Sequence, residues 1–362
     1  MRPHLALLSF LAAAIGTGAV TAQDAVPAAP ELIGQIVLPT GLKIDGVEFG
    51  GISGLDYDEA NDLFYAISDD RSQRAPARFY TLKLVFAENQ LTGLDVVSTH
   101  TLLSEAGEPF PEGGTDPEAI RFDAAGQRLF WSSEGDADGK PAVYEADLAG
   151  KTVRRFEIPE AYLPEGAETK GIFGNLAFES LTLSDDGLQL LAATENALAQ
   201  DGAKATLEAG SPSRIVVFDI ESGAASAEHI YETDPIAVEA TQEPKYNDNG
   251  LAEFLMLSDG RLLTVERSFG SGVGNTIAFY IASLEGATDI AGMESIEGAQ
   301  PAAKTHWFTI AEGDFGLDID NIESVSFGPE VGGRPTLVIA SDNNFNPVGQ
   351  FTQFVVFAVS EI

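Results

Sequence analysis

Five residues recur at one place in a repeated phrase: Ser53, Glu118, Glu179, Glu253 and Glu323, separated by 65, 61, 74 and 70 residues. Each opens a short alternating strand, followed by a turn and a returning strand, as in residues 177–198, AFESLTLSDDGLQLLAATENAL. If the repeats are arranged round a common axis, these side chains converge. Converging carboxylates cannot all stay ionised without a counter-charge, so they take up protons or hold a cation. Ca²⁺ suits them, because it accepts six to eight hard oxygens in flexible geometry, and serine, backbone oxygens and water can complete the set. Zn²⁺ and Cu²⁺ favour His and Cys. The chain has no Cys, and none of its four His stands in the repeated phrase. The competing account has the glutamates capping loops or accepting from backbone amides, with no metal.

In an antiparallel pair the start of the first strand lies beside the end of the second. The closing acids Asp69, Asp70, Glu134, Glu195, Glu266 and Asp342 therefore collect at the same edge, with Asn196, Asn343 and Asn344 adding neutral oxygens. Glu134, Glu195, Glu266 and Asp342 are the candidate general bases. Arg71 and Arg267 follow closing acids and could each hold a phosphoryl or carboxyl oxygen bidentately; a local salt bridge to the adjoining acid is the alternative for either. With Asp69, Asp70, Asn196 and Asn343 they form the candidate substrate-binding set. So acidic a mouth repels bare phosphate but accepts a metal-complexed phosphate or a cationic ligand. Residues 270–274, GSGVG, place serine out of register for a nucleophile elbow, and no helix follows to make a dinucleotide loop.

The elements that must position these residues are β-strands. A period of this length accommodates four strands with their loops, the content of one propeller blade. Taken in order, the strands give four blades of four and a last blade of three. Residues 31–39, ELIGQIVLP, form a strand with no hairpin partner before the first repeat. Placed at the outer edge of the last blade, it closes the ring and removes the open edges. The expectation is an all-β fold, a five-bladed β-propeller closed by the N-terminal strand, with a six-bladed ring on different strand pairing as the alternative. The inserts 161–175 and 199–213 carry few β-branched residues and read as loops rather than blades.

Residues 1–22 carry Arg2, an apolar run over 5–14 and small residues at Val20 and Ala22, the pattern of a cleaved signal peptide. Residues 23–30 read as a mobile Ala/Pro leader and 31–362 as a single domain. The expected location is the periplasm or the exterior. The formal charge is −36, which argues against nucleic acid and anionic membrane surfaces as partners. A monomer acting on a small molecule is expected, with acidic solvated loops accounting for most of the charge.

The phrases GGISGLDYD, TDPEAIRFD, GNLAFESLTLSDDG, YNDNGLAEFLMLSDGRLLTVERSF and DNIESVSF resemble the exported bacterial proteins of the phytase-like family, described by an esterase-like activity of phytase. The resemblance runs from about residue 32 to the C terminus and implies a propeller tied to phosphoester hydrolysis. The opening residues are also similar to the axial pattern of five-bladed calcium-activated nucleotidases, which implies Ser53, Glu118, Glu179, Glu253 and Glu323 as ligands of one central Ca²⁺. Lys and Arg are fewer at this mouth than in a phosphate site of that kind. The expected activity is calcium-dependent hydrolysis of a phosphoester or related ester. The rivals are a metal-dependent lactonase or carboxylesterase, and a non-catalytic propeller that binds a ligand or a protein.

Overall fold

Turn chemistry sets the blade hairpins. In blade 3, Gly187 adopts φ +67°, a conformation open to glycine, while Asp186 Oδ1 accepts from the Leu188 amide at 3.0 Å. The strands on either side, Phe178–Leu183 and Gln189–Ala197, then pair antiparallel. Similar hairpins recur through the computed structural model, which describes residues 27–166, 169–293 and 295–360. The expected signal segment and residues 23–26 of the leader lie outside the described residues.

Five four-stranded antiparallel sheets form a ring. Blade 1 comprises Ile52–Asp58, Leu63–Ser68, Arg78–Ala87 and Gln90–Thr101. Blade 2 comprises Pro117–Asp123, Arg128–Ser133, Ala142–Asp147 and Thr152–Arg155. Blade 3 adds Pro212–Asp219 and Ala225–Glu232 to its inner hairpin. Blade 4 comprises Asn247–Met256, Leu262–Gly270, Gly274–Ser283 and Ala303–Ala311. Blade 5 comprises Ile322–Val331, Arg334–Ser341 and Phe351–Ala358, and its fourth strand is Glu31–Pro39 from the other end of the chain. The five inner strands contact one another in order, and the fifth contacts the first. The five-bladed expectation holds, and so does the closure.

The closing strand pairs from Glu31 opposite Ala358 to Pro39 opposite Phe351. Only Ile33 of the nine is fully buried, as befits an outer edge with solvent on one side. Upstream of it, Ala28 accepts a hydrogen bond from Trp307 Nε1 at 3.0 Å.

The apolar core is divided among the five interfaces between blades. Leu55, Phe64 and Tyr80 meet Val338 and Val356 between blades 1 and 5, and Ile67 and Phe79 meet Ile120 and Trp131 between blades 1 and 2. Phe130 packs with Phe178 and Leu181, Leu191 with Phe254, and Val265 and Phe279 with Val325 and Phe357. Inner strands are therefore buried on both faces; every residue of Pro117–Asp123 is buried. The two inserts lie against each other, with the Ala199 amide donating to Gly171 O and the Gly171 amide to Gln200 Oε1, both at 2.8 Å.

Candidate functional site at the propeller axis

Each inner hairpin slips register at the same end of its blade. The shifts fall between Ile52 and Gly54, Pro117 and Ile120, Phe178 and Ser180, Leu251 and Glu253, and Ile322 and Ser324. A bulge leaves a residue unpaired and re-aims its side chain. The residues released are Ser53, Glu118 with Ala119, Glu179, Ala252 and Glu323. Blade 4 thus departs from the expected set: Ala252 occupies the bulge, and Glu253 lies one residue beyond it.

That one-residue offset changes what Glu253 does. Its Oε2 pairs with Arg121 Nη2 at 2.7 Å, and its Oε1 accepts from the Leu181 and Phe254 amides at 3.2 and 3.0 Å. Arg121 also donates to Leu55 O, Ile120 O and Phe254 O, carbonyls of blades 1, 2 and 4, at 2.8, 2.7 and 3.3 Å. A guanidinium that reaches three blades at once lies across the axis. Glu253 is its counter-ion, not a fifth member of the ring of oxygens.

The returning strands repeat the offset. Ser68, Ser133, Thr194, Glu266 and Ser341 stand opposite Ile52, Pro117, Phe178, Leu251 and Ile322. The next residues are Asp69, Glu134, Glu195, Arg267 and Asp342, so blade 4 carries an arginine where the others carry acids. The expected general base Glu266 points elsewhere: it accepts from Tyr231 Oη at 2.8 Å, Lys304 Nζ at 2.6 Å, the Asp234 amide at 2.7 Å and Asn249 Nδ2 at 3.1 Å. Both of its oxygens are occupied by donors from the fold.

Three more expected residues are structural. Asp70 accepts from the amides of Gln73, Arg74 and Ala75 and from Arg78 Nη1 at 2.6 Å, which fixes the loop after blade 1's second strand. Asn196 donates to Asn249 O and accepts from the Ala205 amide. Asn343 is fully buried; it accepts from the Gly51 and Phe345 amides and donates to Thr40 Oγ1. Their side chains are buried and engaged within the fold.

The remaining acids form a continuous cluster: Asp69, Glu118, Glu134, Glu179, Glu195, Glu323 and Asp342, joined by Asp116. Ser53 Oγ donates to Glu323 Oε2 at 3.1 Å and Asn321 Nδ2 to Glu323 Oε1 at 2.8 Å. The Ala177 amide donates to Glu134 Oε1 at 2.5 Å, and Arg267 Nη2 to Glu195 Oε1 at 3.0 Å. Among the described residues no amide, hydroxyl or basic side chain donates to Glu118 or Glu179. Asp69 Oδ1, Asp116 Oδ1 and Glu134 Oε2 are buried oxygens that receive no amide, hydroxyl or basic donor.

Burial, then like charge, pushes the carboxyl groups up: Asp69 to about 7, with Glu323 and Asp70 adding to desolvation, and Asp116 to about 8, with Glu134 adding. Glu195 rises to about 8 by desolvation, partly offset by Arg267. Glu118, Glu179 and Asp342 are also raised well above the ordinary carboxylate range, each by burial and then by its acidic neighbours.

Glycine permits two of these approaches. A Cβ on Gly51, which has φ +66°, would lie 2.0 Å from Asp69 Oδ1, and one on Gly250 would lie 2.4 Å from Glu195 Cγ.

Both arginines reach the cluster. Arg71 Nη2 pairs with Asp116 Oδ2 at 2.7 Å and also bonds Asn175, with its side chain about 43% exposed. Arg267 is about 12% exposed and faces Glu195, Asp248 at 3.5 Å and Glu323 at 3.9 Å; its Nε has no hydrogen-bond acceptor. Beside the axis a cleft of about 720 Å³ opens between blades 4 and 5, with Glu195, Arg267 and Glu323 among the residues lining it and Tyr246, Asp248 and Asn344 on its walls.

Asp116, Asp248 and Asn321 were missed by the sequence reading. Asp116 and Asn321 each stand two residues before a bulged glutamate, a shared position that the phrase TDPEAI beside DNIES contains.

The phytase-like family model, described as esterase-like activity of phytase, matches residues 47–345. The chain belongs to this family. The family description suggests a hydrolase of phosphoester type. Among solved structures, the phytase-like propeller is similar to the Dos1 propeller, with 8% identity over 85% of this chain and 68% of that one and a TM-score of 0.34. It is also similar to Kuenenia stuttgartiensis hydrazine synthase, with 10% identity over 90% of this chain and 81% of that one and a TM-score of 0.37. No curated protein matches.

Proposed function

We propose that this phytase-like propeller is an exported, monomeric, Ca²⁺-dependent hydrolase of a small phosphoester or related ester. The observation that carries the reading is the juxtaposition of Glu195 and Arg267 in the cleft beside the axial acids: a basic oxygen and an anion-binding guanidinium share one opening.

The donor chemistry at the axis suits a hard cation, although the three acids whose oxygens come within 4.8 Å of one another among the described residues are Asp116, Glu118 and Glu134. Ser53, Glu118, Glu179 and Glu323 offer oxygen alone; among the described residues no amide, hydroxyl or basic side chain donates to Glu118 or Glu179, and Glu179 shares a hydrogen bond with the Glu134 carboxyl. The three histidines among the described residues are engaged elsewhere: His100 stacks on Phe79, His229 contacts Thr288 O and His306 contacts Thr309. When bound, Ca²⁺ supplies Lewis acidity to a phosphoryl oxygen and makes water more acidic.

The chain's own residues do the rest. Arg267, charge-paired with Glu195 and Glu323, puts a guanidinium on the cleft lining, and half-exposed Arg71 presents a second cation to the substrate anion. Glu195 is the general base, held in orientation by Arg267 and raised in basicity by burial. Among the other expected bases, Glu134 has one oxygen fixed by the Ala177 amide, and Asp342 Oδ1 accepts from the Asn344 amide at 2.7 Å.

The cleft walls carry Asp248, Glu312, Asp318 and Asp320, which oppose a polyanion and favour a substrate with its negative charge confined to one group. A lactone or neutral carboxylester is the second reading, and those acidic walls favour it. Turnover of phytate, nucleotides, simple phosphomonoesters and lactones, with Ca²⁺ and with chelator, separates the two. Hydrolysis of a phosphoester that chelator abolishes supports the proposal; turnover of lactones alone overturns it in favour of the second reading. No turnover of any class leaves a binding propeller.

A further inference from the structure

Blade 2 contributes three acids that the axial ring does not account for as a group. Asp116, Glu118 and Glu134 are all buried, at 5, 6 and 3% exposure, and one oxygen from each lies within 4.8 Å of the others. Ca²⁺ binds oxygens at 2.3–2.6 Å, so two ligands of a single ion can stand as far apart as about 5 Å. The three oxygens meet that limit.

The way each acid is held matters more than their proximity. Asp116 Oδ2 is fixed by Arg71 at 2.7 Å, and Glu134 Oε1 by the Ala177 amide. In both cases the second oxygen, Asp116 Oδ1 or Glu134 Oε2, is buried and receives no amide, hydroxyl or basic donor, the carboxyl group beside Glu134 being that of Glu179, with which it shares a hydrogen bond. One oxygen is anchored by an amide or guanidinium and its twin meets no such donor, the arrangement that orients a metal-ligating carboxylate. An unpaired buried carboxylate oxygen is costly unless something positive meets it. Arg71 is a base that feels all three acids, and once they are ionised, as ligands of a cation must be, its charge leaves two of the three negative charges unbalanced. A single divalent cation balances them.

We infer that the propeller holds a second Ca²⁺ on blade 2, ligated by Asp116, Glu118 and Glu134 beside the axial one, with Glu118 shared between them. The inference rests on the axial Ca²⁺ proposed above and adds to it a ligand, Asp116, that lies outside the repeated opening position. Arg71 then serves as the residue that holds Asp116 in orientation.

The test is the number of bound Ca²⁺ per folded chain, read by equilibrium dialysis and elemental analysis after chelation and reloading, with circular dichroism confirming the fold. Wild type should bind two, and Asp116→Asn and Glu134→Gln should each bind one. Glu134→Gln keeps the measurement decisive if Asp116→Asn does not fold. One Ca²⁺ in wild type, unchanged in both variants, overturns the blade 2 site and leaves the axial reading standing. Two in wild type and still two in both variants also overturns the assignment to these residues. No Ca²⁺ in wild type overturns both readings.

Discussion

Arg267 of blade 4 donates to Glu195 of blade 3 across 3.0 Å, and it does so from the ring position where the other four blades carry an acid. The molecule thereby places one internal cation against a crowd of carboxylates. Its Nε is buried and lies 3.9 Å from Glu323 Oε1, beyond hydrogen-bond reach.

Arg267→Ala should cut kcat/KM by about 10²-fold or more, as for loss of a charge-assisted contact to a developing oxyanion. Because the residue is buried among Glu195, Asp248 and Glu323, stability should also fall, by roughly 3 kcal/mol, when those acids lose their partner. Steady-state kinetics and denaturant melts on the same sample measure both. Wild-type turnover in the folded variant would assign Arg267 to structure alone.

Chelator should lower Tm and added Ca²⁺ should restore it, since a ligand bound only by the native state stabilises by mass action. Glu179→Gln should weaken that Ca²⁺-dependent shift, whereas Glu221→Gln on the exposed surface should not. An identical Tm with and without chelator, in protein found metal-free as purified, would remove Ca²⁺ from the account.

The pH dependence of the chelated protein follows from the raised carboxyl groups. Asp69, Asp116 and Glu195 titrate near 7 to 8 in the folded chain and near 4 when unfolded, so the native state holds more protons between those limits. Their contribution is present below about pH 4 and is lost as pH rises through about 7 to 8. Metal-free Tm should therefore fall from pH 5 to pH 8.5, and saturating Ca²⁺ should flatten that decline. Melts in chelator across this range check it; a metal-free Tm that rises with pH contradicts it.

Glu253→Gln separates the two positions one residue apart in blade 4. It should leave Ca²⁺ affinity within about twofold of wild type, while the buried Arg121 left without its counter-ion costs roughly 3–5 kcal/mol. Calorimetric titration with thermal melts reads both quantities. A large loss of Ca²⁺ affinity at unchanged stability would return Glu253 to the ligand set.

Removing residues up to 39 should abolish cooperative folding or produce aggregates, because blade 5 is left with a bare Phe351–Ala358 edge and Ile33 leaves the core between blades 5 and 1. Size-exclusion chromatography and a melting curve suffice to see it. A monomer with wild-type Tm would show that the ring does not depend on this strand.

Blade number and closure were legible in the sequence because they depend on strand count and on one unpartnered strand. The slip in blade 4 is not, because Glu253 has the same residue type as the opening glutamates and masks a one-residue offset. Aligning instead the next buried apolar residue, Leu55, Ile120, Leu181, Phe254 and Val325, all fully buried, puts Ala252 opposite the other opening residues and Arg267 opposite the closing acids. Packing fixes register more strictly than charge does, since a residue facing the core has nowhere else to go. Asp70, Asn196, Asn343 and Glu266 were beyond sequence reading for another reason. Each has the right chemistry, but partners distant in sequence or supplied by loop backbone, such as Lys304 for Glu266, already occupy it.

Arg121, stretched between the carbonyls of three blades, makes the central passage a blind well rather than a tunnel. Whatever enters must turn back through the same opening, so incoming substrate and departing product compete for one doorway. A long polymer cannot thread this ring; it can offer only a terminus or a side branch. The enzyme proposed here is therefore confined to small molecules and chain ends, and its products should inhibit it.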